Sequence, residues 1–172
     1  MKAIVALSFG AAPGPANRAI ARVVAILYKV SPDYEKPMLI LQGEVADLLK
    51  EQLEHWREAP KVIRKYTYDR YIDTYEVMTR AKEIIERYGV GSAMIVAHPA
   101  HYPRVEAVAK KLGLKLERPP KEELIRIPYN ASDSQWWTNS APKWWSREIP
   151  ARILYFLKGY IGFRDIFRCS LH

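Results

Sequence analysis

Hydrophobic and polar positions along this chain alternate between two periods. Residues 2–9, KAIVALSF, are a continuous apolar run rich in β-branched side chains, which predicts a buried strand. GAAPGP follows as a turn. Over residues 15–30 the spacing becomes helical, with Ala19, Val23, Ile26, Leu27 and Val30 on one face and Pro15 in the first turn. Residues 37–43 predict a second strand ending in glycine. Residues 44–59 predict a long helix closed by Pro60, and residues 61–66 a short alternating strand. A helix over 71–89 is capped by Asp73 or Thr74 and stopped by Gly89. Residues 90–98 read as a third clear apolar strand, and 101–113 as a helix stopped by Gly113. LKLER and LIRIPY supply one or two further strands. A polar, tryptophan-rich loop over 130–147 and an amphipathic helix over 148–160 close the pattern.

Strands alternating with helices predict an α/β fold, a three-layer sandwich around a mainly parallel, Rossmann-like sheet, in one domain spanning 1–172. Ligands of such sheets bind beyond the carboxyl ends of the strands. That rule collects Ser8, Gly10, Gln42, Gly43, Glu44, His98 and His101 at one edge, with Thr74 and Glu76 facing it.

Composition narrows the class. At 172 residues and 49% apolar content, the chain is long enough for one sizeable core. Its longest apolar runs are too short to span a bilayer, and the N-terminal run of about seven apolar residues is cut off by a Gly/Pro turn, against a secretory signal. The single cysteine, Cys169, excludes an internal disulfide, and a cytoplasmic location is expected. Lys and Arg outnumber Asp and Glu by 27 to 19, a formal charge of +8, which favours an anionic or nucleotide-like partner. Nucleic acid is a weaker candidate because the cations are interspersed with acids.

The chemistry-bearing residues admit several readings. Gly10 and Gly14 let backbone amides approach an anion at a helix start, with Arg18 nearby, although neither a dinucleotide fingerprint nor a Walker loop is present. His98 and His101 could bind a metal with Glu44, Glu76 or Asp73 as third ligand, yet they lack the spacing of a helical histidine pair, and no metal is expected. His101 at a helix start should have a lowered pKa and serve as base or donor, with Arg104 one turn later as an anion clamp; alternatively it caps its own helix. Ser8 lacks the surroundings of a nucleophile elbow. Trp136, Trp137, Trp144 and Trp145 could form a lid, a base-stacking platform or core packing. NAS at 130–132 matches a glycosylation acceptor but has no secretory signal behind it.

Four segments in order resemble the YdcF-like family, which includes the SanA-type envelope proteins: IVALSFGAAPGPANRAIARVVAILY, LILQGE, DTYEVMTRAKEII and MIVAHPAHYPRVEAVAKKLGLK. REIPARILYFLKGYIG fits the family's late glutamate before an amphipathic helix. The resemblance implies a Rossmann-like domain with a pocket formed by Gly10, Thr74, Glu76, His101, Arg104 and Glu148, and raises S-adenosylmethionine as a candidate cofactor. The chain departs from the family where Gln42-Gly43-Glu44 replaces Ser-Gly-Gly, where Ala97 replaces a strand-end threonine, and in lacking the N-terminal membrane segment of SanA-type members. A carboxylate in place of a small glycine turn should make the pocket less welcoming to phosphate. Together these readings give His101 and Glu76 as catalytic candidates. Ser8, Gly10, Asn17, Arg18, Gly43, Glu44, Thr74, His98, Arg104 and Glu148 are the ligand contacts. The expected function is binding of a small polar or anionic ligand, with hydrolysis or group transfer as the reaction class. The alternative is a basic interaction module acting through the tryptophan loop on nucleic acid or a partner protein.

Overall fold

A computed structural model of the chain describes residues 1–11, 13–53, 55–64, 72–118, 121–131 and 134–168. In chain order the elements are β1 (Lys2–Ala6), α1 (Pro15–Val30), β2 (Met38–Gln42), α2 (Gly43–Leu49), β3 (Lys61–Ile63), α3 (Thr74–Arg87), β4 (Ser92–Val96), α4 (Tyr102–Lys111), α5 (Lys121–Leu124) and α6 (Ala141–Leu157). Short 3₁₀ turns lie at Asp33–Glu35, Trp136–Thr138 and Phe163–Asp165. The strands form one parallel sheet in the order β3-β2-β1-β4, with Ala3 beside Met38 on one side and Ala93 on the other. Apart from Lys2 and Gln42 at their ends, the central strands are apolar because both sheet faces are covered, as a parallel sheet requires. Right-handed crossovers put α1 and α2 on one face and α3 on the other. In agreement, α1 packs on α2 and α3 on α4. This is the expected three-layer, Rossmann-like α/β sandwich.

Several local expectations change. The helix expected over 44–59 ends at Leu49. Leu53 then turns back to be buried, its amide bonded to the Leu49 carbonyl, and the Tyr28 hydroxyl accepts from the Arg57 amide at 2.7 Å. Packing onto α1 thus overrides a continuous helical pattern. On α1 itself the buried stripe runs through Ala16, Ile20, Val23 and Val24, while Ile26 and Val30 are exposed. LIRIPY forms no strand; α5 and a turn take its place, and Pro128 lacks the N–H that a ladder needs. LKLER contributes only a single bridge, Leu116 to Ala93. The last helix begins at Ala141 rather than 148, with Pro142 in its first turn, and ends at Leu157. Trp144 and Trp145 therefore lie on a helix, not in a loop. Part of the 61–66 run and Tyr71 lie outside the described residues.

Candidate functional site

The strand order reverses between β1 and β4, so the crevice favoured for ligands in open α/β sheets opens beyond Ala6 and Val96. In this protein aromatic side chains fill it. The Phe9 ring stacks on His98 with centroids 3.8 Å apart and planes at 14°; Trp144 lies 4.6 Å from Phe9, and Tyr129 meets His98 edge-on at 4.5 Å. The Trp144 indole N–H donates to the Ala100 carbonyl at 3.2 Å.

Two buried asparagines hold the β1–α1 turn in place. Asn17 Oδ1 accepts from the Phe9 amide at 2.8 Å, and its Nδ2 donates to the carbonyls of Gly10 and Ala11. Asn130 Nδ2 donates to the Phe9 carbonyl at 2.9 Å, and its Oδ1 accepts from the Ala16 amide at 2.8 Å. Gly10 takes φ 79°, which only glycine adopts without strain. A Cβ at Gly14 would lie 2.9 Å from the Ala11 carbonyl and 3.0 Å from the Asn130 amide. The helix-start amide of Ala16, which an anion would need, is thus already bonded to Asn130. Asn130 is buried, so it cannot serve as the glycosylation acceptor its sequence context matches.

The hollow at the carboxyl edge lies to one side of the aromatic stack. It is a cavity of about 40 Å³ lined by Leu7, Ser8, Gly10, Gln42, Glu44, Ile72, Thr74, Val77, His101 and Gln135. Gln42 Oε1 accepts from the Ser8 amide at 3.0 Å and so ties the end of β1 to that of β2. Asp73 caps α3 by accepting from the Glu76 amide at 2.8 Å, which sets Thr74 at the rim. Thr74 Oγ1 is 3.0 Å from His101 Nε2. The volume matches about one water's share of the liquid, roughly 30 Å³. S-adenosylmethionine as a whole is far larger than this cavity.

His101 heads α4 without capping it by its side chain. Its pKa is pushed well below the usual range, first by burial and then by the charges of Arg104, His98 and Arg152. His101 Nδ1 has no hydrogen-bond partner. Placing the proton on Nε2, toward Thr74, leaves only a lone pair unpaired, less costly than an orphaned N–H. His98 Nδ1 accepts from the Ala100 amide at 3.2 Å, its Nε2 is unpartnered, and burial pushes its pKa down to about 3. The Tyr155 phenol, which accepts from the Tyr75 amide, is pushed up to about 12 by burial, partly offset by Arg104.

The expected contacts thus divide into groups. Ser8, Gly10, Glu44, Thr74 and His101 line one cavity. Asn17 and His98 brace its surroundings. Gly43 starts α2 under the Arg64 side chain, which forks onto Asp47 at 3.0 and 2.6 Å and would lie 2.8 Å from a Cβ there. The other charged candidates do not line the cavity. Arg18 pairs with Glu51 at 2.9 Å on the surface, and Glu76 with Arg80 at 2.5 Å. Arg104 and Glu148 are buried and pair with each other at 3.2 Å; Glu148 also takes Arg152 Nε at 2.8 Å. Sequence reasoning missed Gln135, Asn130 and Arg152. Asn130 acts from more than a hundred residues away, and no local pattern marks it. Among the described residues, no three His, Cys, Asp or Glu side chains group as metal ligands.

Two roomier hollows lie at the opposite edge. A groove of about 990 Å³ is lined by residues that include Tyr28, Lys29, Tyr34, Lys36, His55, Trp56 and Arg57. A second, of about 640 Å³, shares Tyr28, Tyr34, Lys36 and Arg57 with it. Two of their cations are already engaged: Lys36 Nζ donates to the carbonyls of Tyr28, Lys29 and Ser31, and Arg57 to that of Asp33.

In comparisons with known proteins, no family model, no curated protein and no solved structure matches this chain.

Proposed function

We propose that this protein binds a small polar ligand at the carboxyl edge of its sheet, through a hydroxyl or amino group inserted between Ser8, Glu44, Thr74 and His101. The observation behind this reading is the convergence of polar side chains from separate segments on one narrow cavity whose lining includes a carboxylate. The Glu44 carboxylate in the lining accepts hydrogen bonds, so a donor fits better than an anion. The remainder of the ligand lies outside, across the mouth near Gln135. The reading is one of binding. Glu76, the expected acid–base partner of His101, is paired with Arg80 and absent from the cavity lining. A YdcF-like assignment remains compatible with the Rossmann-like sheet and rests on the sequence resemblance alone.

The test is a thermal-shift screen of polyols, amino alcohols, nucleosides and sugar phosphates against the wild type, Glu44→Gln and Thr74→Val. A ligand at a hundred times its Kd stabilises by about 2.7 kcal/mol, readily seen as a rise in Tm. The expected result is a hydroxyl- or amine-bearing hit whose shift both substitutions diminish. A screen without hits, or a shift that survives both substitutions, would overturn the reading.

The alternative through the tryptophans has less to stand on. Trp144 is buried, Trp145 lies beneath the Arg152 guanidinium at 5.1 Å, and Trp137 is covered by Arg147 at 3.8 Å, leaving Trp136 as the exposed ring.

A further inference from the structure

Helix α6 is inside out. Its buried side carries Trp144, Glu148, Arg152 and Tyr155, so its only acid and one of its arginines face the protein. Between Arg147 and Lys158 every exposed residue is apolar: Ile149, Pro150, Ile153, Leu154, Phe156 and Leu157. The exposures are large for such side chains, 43% at Ile153, 49% at Leu154 and 74% at Leu157. An ordinary surface helix shows the reverse arrangement. The ridge continues past the helix, where Phe163 is 64% exposed and meets Phe156 edge-on at 5.7 Å. A contiguous apolar surface of this kind marks an interaction site.

The charges around the ridge identify what covers it. Lys143 and Arg147 flank one end, and Lys158 and Arg164 the other; all four are exposed, while Arg168 next to them pairs with Glu106 at 2.8 Å. Over 141–168 the only acids are Glu148, which is buried, and Asp165, which is half-buried and accepts from the Gly162 amide at 3.1 Å. A second copy of this face would set cations against cations, whether the helices met parallel or antiparallel, so self-association is opposed. A groove in another protein would need a matching acidic rim and a fixed shape, whereas an anionic bilayer surface supplies both apolar depth and negative charge without either. No helix among the described residues is long and apolar enough to cross a membrane, so the contact is one of lying on the surface.

We propose that the α6 ridge, from Ile149 to Leu157 with Phe163, docks this protein on anionic lipid surfaces, its aliphatic and phenyl side chains at the acyl boundary and its flanking cations among the headgroups. This inference does not depend on the ligand pocket, which is lined by no residue of α6.

The test is co-sedimentation of the full chain with phosphatidylcholine vesicles, with and without phosphatidylglycerol, at low and high salt. Binding to the phosphatidylglycerol vesicles should exceed that to phosphatidylcholine alone by about tenfold or more and weaken with salt. Leu157→Glu and Ile153→Glu, both at exposed positions, should each reduce it about tenfold while circular dichroism and Tm stay at wild-type values. Lys158→Glu should weaken binding to anionic vesicles alone. Equal binding to both vesicle types, binding indifferent to Leu157→Glu, or a concentration-dependent dimer abolished by Leu157→Glu without vesicle binding would overturn the proposal. So would capture by an acidic protein in place of lipid.

Discussion

The two edges of the sheet divide room from chemistry. At the amino edge the grooves are spacious, about 990 and 640 Å³, but Lys36 and Arg57 spend their donors on carbonyls of α1 and the turn after it. At the carboxyl edge the cavity is only about 40 Å³, yet it gathers Ser8, Glu44, Thr74 and His101, with the pKa of His101 and of His98 behind it pushed down by burial. Volume therefore misleads here, and side-chain convergence is the better guide. The small cavity is also the better braced, since Asn17, Asn130, Gln42 and the Arg104–Glu148–Arg152 cluster all fix segments around it. Perturbing the carboxyl side should accordingly cost more than perturbing the amino side.

The largest effect is expected from Glu148→Gln. It removes the negative charge that the buried Arg104 and Arg152 guanidiniums share and should lower stability by about 3–5 kcal/mol, measured by urea denaturation. Asn130→Ala removes an acceptor from the Ala16 amide and a donor from the Phe9 carbonyl, and should cost about 2–4 kcal/mol on the same assay.

Acid comes next. Burial lowers the folded-state pKa of both histidines, to about 3 for His98 and well below the usual value for His101. Between that value and the unfolded pKa of about 6.5, the unfolded chain binds protons that the folded chain refuses. Stability is therefore fully present above pH 6.5 and falls as pH drops below it, by about 2 kcal/mol for the two together over the first pH unit. Urea midpoints from pH 7 to 5 check this, and His98→Gln should flatten the slope. The smallest effect belongs to the amino edge, where Lys36→Met removes donors from the carbonyls at the end of α1 and should cost about 1 kcal/mol.

Much of the frame was legible in the sequence because it is written locally. The apolar runs of β1, β2 and β4 are short and bounded by turns, and Asp73 marks the start of α3 by a cap that the structure realises. The regions that differed depend on distant partners. Helix α2 stops early where the chain after it is tied to α1, the Arg57 amide to the Tyr28 hydroxyl and Gln52 Nε2 to the Arg18 carbonyl. Helix α6 starts before its apolar pattern does, with Pro142 in its first turn. Within the site, Ser8, Gly10, Glu44, Thr74 and His101 follow from strand ends and helix starts. The partners of Arg104 and Glu148 do not, because no pattern shows that two residues forty-four positions apart would neutralise each other inside the protein.

The most direct test of the carboxyl-edge site is the affinity of a stabilising ligand, measured by calorimetry in three variants: Glu44→Gln and Thr74→Val at one edge, and Tyr34→Ala at the other. The account predicts a loss of about tenfold or more, near 1.4 kcal/mol, in each of the first two and none in the third. Affinity lost in Tyr34→Ala and kept in Glu44→Gln and Thr74→Val would contradict it and move the site to the amino edge.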